Sequence, residues 1–181
     1  LVESGELNDN KRDQVLSIKN IEKLAKSIPN LLALSITGGE PFLRNDLSKV
    51  IKVFTSSGYL KSINLVSNGF QTKQILMGVE KILAENKSID IFLSISIDGD
   101  TEIHNKIRKK ENAFTNALTT IKELSKLSRK DKRLSIGVNS TYIGSNYNSI
   151  GTFLSLISIS NGYKYKTIKI YQNKRVGPSS Y

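Results

Sequence analysis

The feature that most limits what this chain can fold into is a regular alternation of two apolar rhythms, one of helical period and one of strand length. Apolar residues at Ile18, Ile21, Leu24, Ala25 and Ile28 repeat at helical spacing over Leu16 to Ser27, and Pro29-Asn30 breaks the pattern. The nearly continuous apolar run LLALSIT, Leu31 to Thr37, has the length of a parallel strand covered by helices on one face and a packed interior on the other. A helix over Asn45 to Ser57 follows, with Asn45 as its expected N-cap, Asp46 in its first turn and Leu47, Val50, Ile51 and Phe54 on one face. The rhythm continues as strand Ser62 to Val66, helix Thr72 to Asn86, strand Asp90 to Ile97, helix Ala113 to Leu127 and strand Leu134 to Asn139. A helix near Asn148 to Ser158 and a strand over Thr167 to Tyr171 complete it. Such alternation implies parallel strands joined by right-handed crossovers. It is compatible with an open doubly wound sheet and with a barrel.

A chain of 181 residues, 38% apolar and without a convincing linker, repeat or low-complexity tract, reads as one domain over residues 1–181. No run of 18 apolar residues and no signal-peptide pattern occurs, so a soluble cytoplasmic protein without a membrane partner is expected. The net charge of +11 would draw a nucleic acid, an acidic peptide or an anionic cofactor. Much of that charge, however, lies at Lys109, Lys110, Lys122, Lys126, Arg129, Lys130, Lys132 and Arg133, on and after one helical stretch, where a solvated face explains it.

In parallel α/β folds the residues immediately after each strand build the ligand site. Here those residues are Thr37-Gly38-Gly39-Glu40-Pro41, Ser67-Asn68-Gly69, Ser96-Ile97-Asp98-Gly99 and Asn139-Ser140-Thr141. Two adjacent glycines permit close backbone approach to a ligand, the carboxylate of Glu40 suits an ammonium group, and Pro41 stiffens the exit. Taken singly, each of these stretches is also ordinary turn chemistry.

Taken together they resemble a family. TGGEPFLRNDL is similar to the Gly-Gly-Glu-Pro motif of radical S-adenosylmethionine (SAM) enzymes, and SNG, SISIDG and EIHNKIR follow in the order and spacing of that family. The resemblance covers almost the whole chain and is nearest to the branch of anaerobic sulfatase-maturing enzymes and peptide maturases, many of which carry a SPASM extension. It implies a partial (βα)6 TIM-like barrel, of which this sequence supplies five of six strands with the first missing, in a core truncated at both ends.

The resemblance further implies that Glu40, with Gly38, Gly39 and Pro41, holds the amino group of the methionine moiety of SAM. Ser67 and Asn68 would lie near its carboxylate, while Ser96 and Arg108 would contact ribose and carboxylate. Asp98 takes either a ribose contact or a turn role, Asn139 helps hold the cofactor, and Ile168 to Ile170 lie where the family packs adenine. His104, the single histidine, has no nucleophile or metal-ligand set near it in sequence and is expected at the surface.

The family's Cys-x3-Cys-x2-Cys loop ligates a [4Fe–4S] cluster, and this sequence contains no cysteine. The expectation is therefore a core cut just past that loop, inactive as it stands. In the complete enzyme it would serve the cleavage of SAM to a 5'-deoxyadenosyl radical and hydrogen abstraction from a peptide or protein, with a flavodoxin or ferredoxin as reductant. The alternatives are an RNA-modifying radical SAM enzyme, which the positive charge would suit without a dedicated RNA motif, and a non-catalytic, cluster-less SAM- or peptide-binding relative.

Overall fold

The computed structural model describes residues 16–142 and 168–172. Helix α1 (Ile18–Ser27) starts at Ser17, whose hydroxyl accepts from the Asn20 N–H at 3.2 Å. It leads into β1 (Ala33–Ile36), a short 3-10 helix (Pro41–Leu43) and α2 (Leu47–Thr55). Next come β2 (Ser62–Ser67), α3 (Thr72–Glu85), β3 (Asp90–Ser96), α4 (Thr101–Arg108), α5 (Ala113–Lys130), β4 (Leu134–Tyr142) and β5 (Ile168–Gln172). The helix expected near Asn148 to Ser158 and the Leu1–Gly5 segment lie outside the described residues.

The five strands form one sheet in the order β1-β2-β3-β4-β5, every pair parallel. Because each strand lies beside its sequence neighbour, the order has no point of reversal, which is the arrangement of a barrel and not of a doubly wound sheet. The register sharpens this. One face carries the rows Leu34–Ile63–Ile91–Leu134 and Ile36–Leu65–Leu93–Ile136, all within the apolar core shared with the helices except the partly buried Leu34 and Ile36, which pack against it. The other face carries Ser35–Asn64–Phe92–Ser135, Val66–Ser94–Gly137 and Ser96–Asn139. The fold is therefore a partial (βα) TIM-like barrel with its apolar core between sheet and helices.

This corrects the packed interior expected for LLALSIT. In β1 only Leu34 and Ile36 are partly buried, while Ala33 and Ser35 are exposed on the inner face. The capping of α2 also differs from expectation, with Asp46 at the N-cap position instead of Asn45. Asp46 makes no capping bond because its carboxylate is taken by Arg44, whose Nε lies 2.5 Å away. Arg133 departs from the solvated face: its guanidinium donates to the carbonyls of Asn86 at 2.7 Å and Leu83 at 3.1 Å, closing the C-terminal end of α3. No helix among the described residues is long and apolar enough to cross a membrane.

Two glycines are required by geometry. Gly78 on α3 leaves the space filled by the buried Phe42 ring, since a Cβ there would sit 2.7 Å from Phe42 Cδ1. Gly69 has φ +74°, and a Cβ would lie 2.7 Å from Ile95 Cγ2 and 3.0 Å from the Ala117 backbone. Gly69→Ala should lower stability by about 2 kcal/mol or more, combining left-handed strain with the clash. Gly58→Ala, at φ +76° with open space around it, should lose only about 1 kcal/mol. Urea unfolding of both variants, with equal losses as the contrary result, checks this.

Candidate functional site

The C-terminal ends of β1 to β4 meet on one rim, and two carboxylates organise it. Glu40 is the N-cap of the 3-10 helix, with Pro41 at its first position. Its Oε1 accepts from the Phe42 N–H at 3.3 Å, while Oε2 accepts from the Ser67 hydroxyl at 3.0 Å and the Asn68 N–H at 2.7 Å. One side chain thus spans the loops after β1 and β2. Burial pushes the Glu40 carboxyl above its ordinary value, against the pull of its bonds to Asn68, Ser67 and Phe42 and of the positive charge of Arg108.

The groups that bind Glu40 are held from behind. Ser67 Oγ accepts from the Gly69 N–H at 3.1 Å, and Asn68 Oδ1 accepts from the Phe70 N–H at 2.8 Å, an Asx turn that fixes the loop after β2. The buried Thr120 on α5 donates to the Gly69 carbonyl at 2.7 Å. Gln74 donates to the Phe42 carbonyl at 2.7 Å, securing the residue that follows Pro41. Gly38 and Gly39 face open space, where an added Cβ would meet nothing within 4 Å, and Gly38 has φ +112°.

Asp98 performs the second bridging. Its Oδ1 accepts from the Thr141 N–H at 3.0 Å, joining the ends of β3 and β4, and its Oδ2 pairs with Arg108 Nη2 at 2.7 Å. The sequence left Asp98 between two roles and sent Arg108 to a ligand; the structure brings them together, with the Asp98 side chain only 5% exposed. Ser96 and Asn139 are register partners, so Asn139 lies level with the rim although β4 runs on to Tyr142. Arg108 Nε and Asn139 Oδ1 are buried without a hydrogen-bond partner among the described residues.

His104 is not at the surface. The helix α4 went unrecognised in the sequence, and it carries His104 into the interior with no exposure. Its Nδ1 accepts from the Asp98 N–H at 3.1 Å, and Phe114 presents an edge-to-face ring at 6.2 Å. The accepting Nδ1 assigns the proton of the neutral ring to Nε2. Burial, aided by the charge of Arg108 and opposed by that of Asp98, lowers the imidazole pKa from 6.5 to about 4. The four-residue spacing of His104 and Arg108 was the available signal, since it places both on one helix face.

The chain matches the profile of the Radical SAM superfamily over residues 4–157. It is 27% identical over 169 residues to an uncharacterized protein of Methanocaldococcus jannaschii, covering 93% of this chain and 57% of that protein. It is 27% identical over 128 residues to the GTP 3',8-cyclase of Pasteurella multocida, covering 67% of this chain and 38% of the enzyme. Over 55 residues it is 40% identical to the 7,8-dihydro-6-hydroxymethylpterin dimethyltransferase of M. jannaschii, covering 30% of this chain and 11% of that enzyme. The chain thus spans little more than half, or less, of these relatives. None of their names refers to a peptide substrate, so the resemblance to the peptide-maturase branch gains nothing from them.

The buried histidine makes stability depend on pH. The unfolded chain takes up the His104 proton near pH 6.5 and the folded chain only near pH 4, so between these values the unfolded state holds more protons. The contribution is present above about pH 6.5 and is lost as pH falls towards about 4, on the order of 3 kcal/mol. His104→Asn, which cannot take the proton, should lack this component. The stability difference between wild type and variant, measured by urea unfolding, should shrink across that window, and a constant difference would contradict the assignment.

Proposed function

This chain belongs to the radical SAM superfamily, and from that premise we propose that its strand-end rim binds S-adenosylmethionine. The observation that carries the reading is the Glu40 carboxylate, fixed between two strand ends beside open glycine backbone. SAM offers an ammonium group, a carboxylate and a ribose diol, and the rim has complementary chemistry in Glu40, Arg108, Ser96 and Asn139. Arg108 Nε and Asn139 Oδ1, buried without a partner among the described residues, support the fit as polar groups that a ligand could engage. Glu40, with Gly38, Gly39 and Pro41, orients the ammonium group. Ser67 and Asn68 hold Glu40 through a hydroxyl and a backbone N–H, and the side-chain amide nitrogen of Asn68 serves the carboxylate of SAM.

Bound SAM, supplied with one electron, provides the radical chemistry that abstracts a hydrogen atom from a substrate. A [4Fe–4S] cluster finds no thiolate among these 181 residues. Anaerobic incubation of this chain with iron and sulfide should therefore leave it without a cluster's visible absorbance. The complete activity, served by a flavodoxin or ferredoxin, would act on a peptide or protein side chain according to the motifs of the sequence. The names of the relatives favour a second reading, a purine nucleotide or a pterin.

SAM titrated into the chain should shift the amide resonances of Gly39, Glu40, Asn68, Ser96 and Asn139 and leave the exposed face of α5 unchanged. Glu40→Gln should weaken binding at least about tenfold, the loss expected for a charge-assisted hydrogen bond. The carbon-13 signal of the Glu40 carboxyl should titrate above 4.5 in the free chain, and lower once an ammonium group lies beside it. Absence of rim shifts, or full affinity in Glu40→Gln, overturns the reading.

A further inference from the structure

The His104–Asp98–Arg108 cluster has a property that neither core filling nor helix packing accounts for. His104 is fully buried, yet its protonated Nε2 has no partner among the described residues. Burying an unsatisfied donor costs free energy that a leucine or phenylalanine at the same place would avoid. What an imidazole supplies and those residues cannot is the acceptor at Nδ1, and that atom meets the Asp98 N–H at 3.1 Å. The ring is held neutral, as acceptance at Nδ1 requires.

The neighbouring bonds give that contact a consequence. Asp98 begins the turn into α4, and Asp100 caps the helix by accepting from the Ile103 N–H at 3.0 Å. Arg108 follows His104 by one helical turn on the same face. The backbone of Asp98 is therefore held by His104 while its carboxylate holds Arg108 at 2.7 Å and the Thr141 N–H at 3.0 Å. The two α4 side chains clamp one residue from two sides, its N–H and its carboxylate.

We infer that His104 is a positioning residue of the rim: through Nδ1 it fixes the Asp98 backbone in the orientation from which the Asp98 carboxylate aims the guanidinium of Arg108. The effect on ligand binding rests on the SAM reading above; the effect on Arg108 does not. An acceptor at this place does the work, so asparagine, whose amide oxygen can stand near the position of Nδ1, should substitute in part and leucine should not.

Three measurements on the 181-residue chain decide this. Long-range proton–nitrogen spectra should show His104 as the Nε2–H tautomer. The Arg108 Nε–H signal should be sharp in wild type and His104→Asn but broadened or lost in His104→Leu. SAM affinity should fall roughly tenfold in His104→Leu, the scale of one lost buried hydrogen bond, with most of it restored in His104→Asn. An Nδ1–H tautomer, or an unchanged Arg108 signal in a folded His104→Leu, overturns the inference. If His104→Leu does not fold, the tautomer and the His104→Asn spectrum decide: an Nδ1–H ring, or an Arg108 signal lost in His104→Asn, overturns it. Failure of the wild type to bind SAM would sink the cofactor reading while the tautomer and the Arg108 signal still test the role of His104.

Discussion

The loops that follow parallel strands lie beyond the backbone ladder, and in this chain carboxylates tie them to the neighbouring strand ends. Glu40 ties the loop after β1 to the end of β2 through a hydroxyl and a backbone N–H. Asp98 ties the turn after β3 to β4 through the Thr141 N–H. Each bond puts a carboxylate acceptor against a polar donor, a backbone N–H in two of the three, and such charge-assisted bonds are stronger than neutral ones. The rim's shape follows from these two side chains, and so does the placing of Arg108, whose charge acts on both Glu40 and His104.

Behind the rim the polar residues are fixed by the helix layer. Thr120 reaches the Gly69 carbonyl from α5, and Phe42 fills the notch at Gly78 on α3 while Gln74 takes its carbonyl. The Gly-Gly-Glu-Pro segment is thereby located by packing on α3 as well as by its own turn. The basic character of the chain is largely a property of the outer helices, with Arg133 diverted to cap α3 and Lys110 lying 4.9 Å over the Phe70 ring.

The alternation of elements was legible because apolar periodicity is imposed by burial against one face, and Leu47, Val50, Ile51 and Phe54 declare it in four residues. The positions at the strand ends were legible as motif and topology. The inner face of β1 was not, because LLALSIT reads as continuous apolar sequence while its Ala33 and Ser35 lie exposed. Helix α4 escaped because its buried residue is a histidine, which hydropathy scores as polar. The Asp98–Arg108 pair escaped for a related reason: residues ten positions apart come into contact only once the turn and helix between them are known.

The two faces of the sheet divide the labour between alternate residues. Ile63, Leu65, Ile91, Leu93 and Ile95 secure the strands from outside, while Asn64, Phe92, Ser94 and Ser96 present their side chains to the inner surface. Neighbours in sequence thus answer to different selective demands, one to cohesion and the next to chemistry. A lineage could rewrite the inner residues for a new substrate, two positions at a time along each strand, without disturbing the outer isoleucines and leucines that keep the strands in register.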